Sequence, residues 1–295
     1  MTDAGVATLP SNGRFPGTSF RGLRTLFGLS VRQHLHGKRW MVISALFSIP
    51  AALALLVRFT SPDVPSRGLE FLLGMMLLPQ LLIPLVALLY ASGMIEDEQE
   101  EQTITYLLVR PLPKWGIYIV KLLATATTTV ALTITFTALT FAAIYLGAGV
   151  PFDEWSVRLA KVAGLHALAV TAYCSLFGLL SLLTKRALIV GVVYIAVIEG
   201  LLANLPFGIR LITVIYHARM MAYRSLSFVV TTPRRSEDMA AEAWQLNLRD
   251  DPQLLLQTTT STSFMVLTLG TIVCAALAAW ICSQREFYVK TPEKA

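Results

Sequence analysis

The sequence predicts an all-α membrane protein of six transmembrane helices, preceded by an N-terminal interfacial amphipathic helix, with a helical and looped extracytoplasmic insert before the last helix. Three observations carry this. Hydrophobic residues make up 55% of the 295 residues and charged residues only 14%, with mean hydropathy +0.63. A soluble domain carries roughly 25% charged residues, so there are too few here to cover a water-facing surface. The apolar residues also collect in runs of about 18 to 30, the length a helix needs to cross roughly 30 Å of hydrocarbon. Finally, basic residues concentrate in alternate short connections, as the positive-inside rule requires. The long segment 206–263 holds six arginines on the side expected to be outer, but long loops obey the rule poorly.

Residues 1–19 are rich in Gly, Thr, Ser and Pro and read as a disordered tail without the apolar core of a signal peptide. Over 20–38, Phe20, Leu23, Phe27, Val31 and Leu35 recur at helical spacing, with Arg21, Arg24, Arg32 and Lys38 on other faces. That pattern predicts a helix lying on the membrane surface, the alternative being a plain basic leader. The six-helix domain, 39–295, then places its spans at about 40–57, 69–95, 115–147, 159–184, 187–205 and 264–282. Residues 206–263 form an outer insert, with an amphipathic helix expected over 209–225 on the outer surface and an exposed polar loop over 231–252. A seventh span at 209–225 would be too short and too charged, given Arg210, His217, Arg219 and Arg224.

Arg14, Arg21, Arg24, Arg32, Lys38 and Arg39 precede the first span, and Arg110 and Lys114 join the second to the third. Lys185 and Arg186 form the turn between the fourth and fifth, and Arg285, Lys290 and Lys294 follow the last. Both termini are therefore expected in the cytoplasm. The net charge of +6 is explained by this topology and by attraction to anionic membrane lipid. No nucleic-acid motif accompanies it. Cys174, Cys274 and Cys282 fall in or at the ends of spans without CxxC spacing, and read as small packing residues.

The most informative stretch connects the second and third spans, residues 96–113. Five carboxylates occupy the six positions from Glu96 to Glu101, among them Glu98 and Glu100. Thr103 follows, then Ile104, Leu107 and Leu108 on one helical face, then Arg110, Pro111 and Pro113. Acidic residues suit the positive end of a helix dipole and Arg110 the other end. Pro111 disfavours helix in the residue before it. A short capped amphipathic helix over 98–108 results, with an apolar face suited to a groove on a partner. The plainer alternative is a solvated acidic loop.

This segment resembles the intracellular loop of type-2 ABC transporter permeases, in which acidic residues precede Gly-Thr, a Leu pair, Arg-Pro and a Lys opening the next span. Thr103, Leu107-Leu108, Arg110-Pro111 and Lys121 fit that pattern, whereas Gln102 stands where Gly is usual. The N-terminal helix, six spans and insert before the last span extend the resemblance over most of the chain. The resemblance implies a transmembrane subunit in the cytoplasmic (inner) membrane of a prokaryote, paired with a second permease copy or paralogue and driven by an ABC ATPase subunit. No Gly-x-x-x-x-Gly-Lys-Ser/Thr phosphate cradle occurs in the sequence. ATP and Mg are thus expected on the partner, and no cofactor or metal in this chain.

Polar residues within spans are further candidates. Glu199 lies 13 residues beyond Arg186, roughly 20 Å deep at about 1.5 Å per residue. It reads either as a substrate-path residue or as a buried partner of a neighbouring helix or of His166. Thr125, Thr129, Thr133 and Thr137 form an i, i+4 stripe with Thr140 nearby. The stripe reads as close helix packing, with Thr129 and Thr133 the alternative candidates for a translocation path. Pro50, Pro79 and Pro84 are expected to kink their helices. The rival functions are a membrane-embedded enzyme and a secondary transporter using Glu199. The first lacks HExxH or paired aspartates in the spans, and the second lacks charged midplane residues beyond Glu199.

Overall fold

The computed structural model describes residues 16–36, 38–100, 113–205, 208–232, 235–244 and 259–284. The chain is helical apart from one two-stranded hairpin among these residues. Helix α1 spans Pro16–His36 and α2 spans Lys38–Thr60. Helix α3 is continuous through three registers: Ser66–Leu69, a π segment Glu70–Leu82, and Ile83–Glu100. Then come α4, Lys114–Tyr145, and α5, Phe152–Leu183. Helix α6 runs through Ala187–Tyr194, a second π segment Ile195–Leu201, and a 3₁₀ turn Leu202–Asn204. The insert holds α7, Val214–Ser225, strands β1 (Val229–Thr232) and β2 (Arg235–Asp238), and α8, Met239–Ala243. Helix α9, Thr260–Gln284, closes the set.

Six helices among the described residues are long and apolar enough to cross a membrane: Arg39–Thr60, Ser66–Met94, Lys114–Tyr145, Phe152–Leu183, Ala187–Asn204 and Thr260–Gln284. Their faces toward lipid stay apolar, as on α9, where Phe264, Leu269, Ile272, Val273 and Trp280 are exposed. In lipid, apolar burial gives little net drive between helices, so close packing and buried polar contacts fix the arrangement. One core gathers Ile43, Phe47, Val86, Tyr90, Tyr118, Tyr173 and Phe177 from α2 to α5. A second, at the end of the bundle that carries the insert, gathers Phe71, Met75, Phe141, Tyr145, Met220, Phe228 and Trp244. Gly191 lets α6 close on α3, since a Cβ there would run into Leu88 Cδ1. The turn after α4 uses Gly147 and Gly149 at φ of 70° and 67°, where a side chain would be strained.

Of the two prolines expected to kink α3, Pro79 lies within the π segment and Pro84 follows it in the α-helical part. Pro79 lacks an N–H and falls inside the π segment, which ends where the Ile83 N–H donates to the Leu78 carbonyl five residues back. Helix α1 packs along α4, with Leu26 and Ser30 buried.

The insert departs most from expectation. Its helix starts at Val214, and it does not lie on the outer surface. Ile215 to Ala222 form an unbroken buried run, with α7 packed against α5, α9 and the π segment of α3. Part of the stretch expected as polar loop is an antiparallel hairpin pairing Val229 with Asp238 and Thr232 with Arg235. Asp238 then caps α8 by accepting from the Ala240 and Ala241 N–H groups. Phe228 and Trp244 rest on Phe71 at centroid distances of 5.3 and 5.2 Å, which fixes the insert to the start of α3.

Candidate functional site

Two regions hold the residues singled out from sequence. The first is the connection between α3 and α4. The backbone of Glu98 and Glu100 continues the helix of α3, which runs to Glu100. Glu101, Thr103, Ile104, Leu107, Leu108 and Arg110 lie outside the described residues. The ends that flank the connection are fastened together. Lys121 of α4 is buried and donates to the Met94 carbonyl of α3 at 2.9 Å. Helix α1 joins the same end: His34 Nε2 meets Thr125 Oγ1 of α4 at 3.1 Å, and the His34 ring stands edge-on to Tyr90 of α3 at 5.1 Å.

The second region surrounds Glu199, fully buried in the π segment of α6. Its Oε1 accepts the Val214 N–H at 3.0 Å and the Tyr194 hydroxyl at 3.1 Å, and its Oε2 accepts the Ile215 N–H at 3.0 Å. A carboxylate here satisfies the free N–H groups of the first turn of α7 and faces the positive end of its dipole. Thr213, the N-cap, adds a bond from Tyr216 N–H. The partner of Glu199 is therefore a helix terminus. His166, the other candidate, bonds Thr137 at 3.0 Å through Nδ1.

The threonine stripe is buried throughout, and Thr125, Thr129, Thr133, Thr137 and Thr140 face neighbouring helices. Thr129 returns its hydroxyl to the Thr125 carbonyl at 2.9 Å and lies 3.3 Å from Cys174 Sγ of α5. Thr133 is equally enclosed.

Sequence reasoning passed over two groups. Glu70 is fully buried at the start of the π segment of α3, where Arg158 Nε donates to both its oxygens at 2.8 and 3.1 Å and Tyr145 donates at 2.6 Å. Arg158 Nη2 continues to the Ser227 carbonyl and Lys161 to that of Ser225, so α5 grips the chain leaving α7. The second group is Arg219 on α7, whose Nη1 and Nη2 donate to Asn204 Oδ1 at 2.8 Å and Gln80 Oε1 at 3.2 Å. It links α7, α6 and α3. The available signal was the cost of a charge at a span edge, which points to a buried partner.

The model of the family described as ABC-2 family transporter protein matches residues 25–287. No curated protein matches the sequence. The match takes in α1 from residue 25 onward, all six spanning helices, the α3–α4 connection and the insert. This chain belongs to the ABC-2 transporter family and is a multi-pass membrane permease of the ABC type.

Proposed function

We propose that the permease is driven by a separate cytoplasmic ABC ATPase, which seats the amphipathic helix 98–108 in a surface groove and moves α3 and α4 when it closes on ATP and Mg. The observation that carries this reading is the order of residues in that connection. A run of carboxylates continues α3, an apolar Ile104, Leu107 and Leu108 face follows, and Arg110 with two prolines ends it. An apolar face outside the bilayer needs a protein partner to cover it. The Lys121–Met94 bond supports transmission, because it makes the two helix ends on either side of the connection move together. The working unit pairs this chain with a second copy or a paralogue, in the cytoplasmic (inner) membrane of a prokaryote with both termini in the cytoplasm. We assign Glu199 to holding α7 and assign Thr129 and Thr133 to helix packing, since the Glu199 and Thr129 side chains are taken by buried hydrogen bonds and Thr133 is fully enclosed.

The test is co-purification with the ATPase, followed by ATP hydrolysis and transport in vesicles. Leu107→Asp is expected to release the ATPase or to leave its hydrolysis insensitive to the permease. Unchanged association and transport in that variant would overturn the proposal.

A further inference from the structure

A groove of about 590 Å³ runs along the bundle between the two π segments. Its walls include Leu53 of α2, Met76 and Gln80 of α3, and Ala196 and Gly200 of α6. That volume falls within the roughly 300–1,000 Å³ of small-molecule sites. Gln80 is the one polar side chain among the described lining residues. It also forms the link to Arg219, the buried guanidinium behind the wall.

Arg219 is only 6% exposed, and its two hydrogen-bond partners, Asn204 and Gln80, are neutral amides. Its Nε is buried without a partner. Glu199 is the nearby acid, but its oxygens are taken by the Val214 and Ile215 N–H groups and by Tyr194. Among the described residues no carboxylate forms an ion pair with Arg219. A guanidinium stays charged when buried, and its fork matches the two oxygens of a carboxylate or phosphate. A permanent cation whose hydrogen bonds go to neutral amides, with the Glu199 charge near it and the Trp244 ring 6.0 Å away, stands next to an apolar groove and is thus a recognition element for an acid attached to an apolar chain.

We propose that this groove binds an anionic amphiphile, the chain lying between the π segments and the phosphate or carboxylate head taking the place of the Gln80 carboxamide on Arg219. The π register supports such a use. It supplies nearly all of the groove lining, from Leu72 to Leu81 on one wall and Ile195 to Gly200 on the other. Segments of this kind recur at functional sites because they displace side chains from regular helical positions.

The test uses the full chain in nanodiscs of phosphatidylcholine, without nucleotide or ATPase, so its failure would leave the ATP-driven reading untouched. Hexadecyl phosphate and hexadecanol, each carrying the same diazirine on the chain, are photocrosslinked and mapped by peptide mass spectrometry. The phosphate is expected to label the groove about tenfold more than the alcohol, the discrimination of one charge-assisted hydrogen bond. Arg219→Gln should erase that preference. Ala196→Phe, on the exposed groove wall, should lower capture of both probes while leaving the polar cluster intact. Competition with dioleoyl phosphatidic acid identifies the source: displacement supports a bilayer lipid as the bound anion, and persistence supports a single-chain amphiphile. Equal capture of the two probes by the unmodified chain would overturn the proposal without reference to any variant.

Discussion

Replacing Glu199 tests what holds α7 inside the bundle. Glu199→Ala removes the acceptor of two backbone N–H groups and one tyrosine hydroxyl at a buried site. A hydrogen bond to a charged group contributes about 1.5–3 kcal/mol, and a buried donor left unpaired costs about 1–3 kcal/mol. Thr213 still caps the third free N–H, so not all of the helix start is lost. The expected destabilisation is about 3–5 kcal/mol, comparable to breaking a buried ion pair. Glu199→Gln keeps the shape but retains only one accepting oxygen, so one of the two N–H groups faces an NH₂ donor. About 2 kcal/mol is expected there, a shift in midpoint of roughly 4–8 °C if domains of 150–250 residues set the scale. The assay is thermal unfolding in detergent, read by monodispersity, with limited proteolysis of 208–232 as the local probe. An alanine variant that melts with the unmodified protein and protects α7 equally well would refute the capping argument.

Arg158→Ala leaves Glu70 buried with only Tyr145 as partner, a loss of about 3–5 kcal/mol, and it also frees the Ser227 carbonyl. Faster proteolysis within the insert is the expected readout. Gly191→Val sets a side chain against Leu88, into which even a Cβ would run. About 1–3 kcal/mol of overpacking is expected, with Leu88→Ala restoring the melting midpoint in the double variant. Burial holds the His217 imidazole below its usual range, opposed by its bond to the Leu211 carbonyl. The neutral ring donates from Nε2 to Leu211 and accepts from Ser263 at Nδ1. Its contribution to stability is full above the unperturbed value near 6.5 and is lost as pH falls towards the lower folded-state value. Thermal midpoints should therefore drop on mild acidification, and less so in His217→Gln.

The spans could be read from the sequence because membrane insertion depends on one local quantity, the hydropathy of about twenty consecutive residues. The side-chain partnerships could not. Glu199 finds the amides of Val214 and Ile215, 15 and 16 residues onward, and only the folding of the insert back into the bundle brings them together. The same fold accounts for α7. Arg219 and His217 argued for a water-facing helix, yet Asn204, Gln80, Leu211 and Ser263 supply their hydrogen bonds inside. Glu70 and Arg158 stand at the edges of two different spans, and their pairing joins positions 88 residues apart. Distance in sequence hides such pairs, because neither residue carries a local sign of the other.

The π segments of α3 and α6 also set the angular phase of everything beyond them. Each residue of an α-helix advances the chain by about 100°, and a wider turn is equivalent to extra sequence inserted without lengthening the path round the axis. Removing a single residue between Glu70 and Leu82 would let the segment tighten, and α3 from Ile83 onward would then present a different side to its neighbours. Tyr90 would leave His34, and the Met94 carbonyl would turn away from Lys121. The register of the helix in mid-bundle thus fixes the aim of the connection that follows Glu100. A one-residue change there would redirect the connection without altering any residue in it.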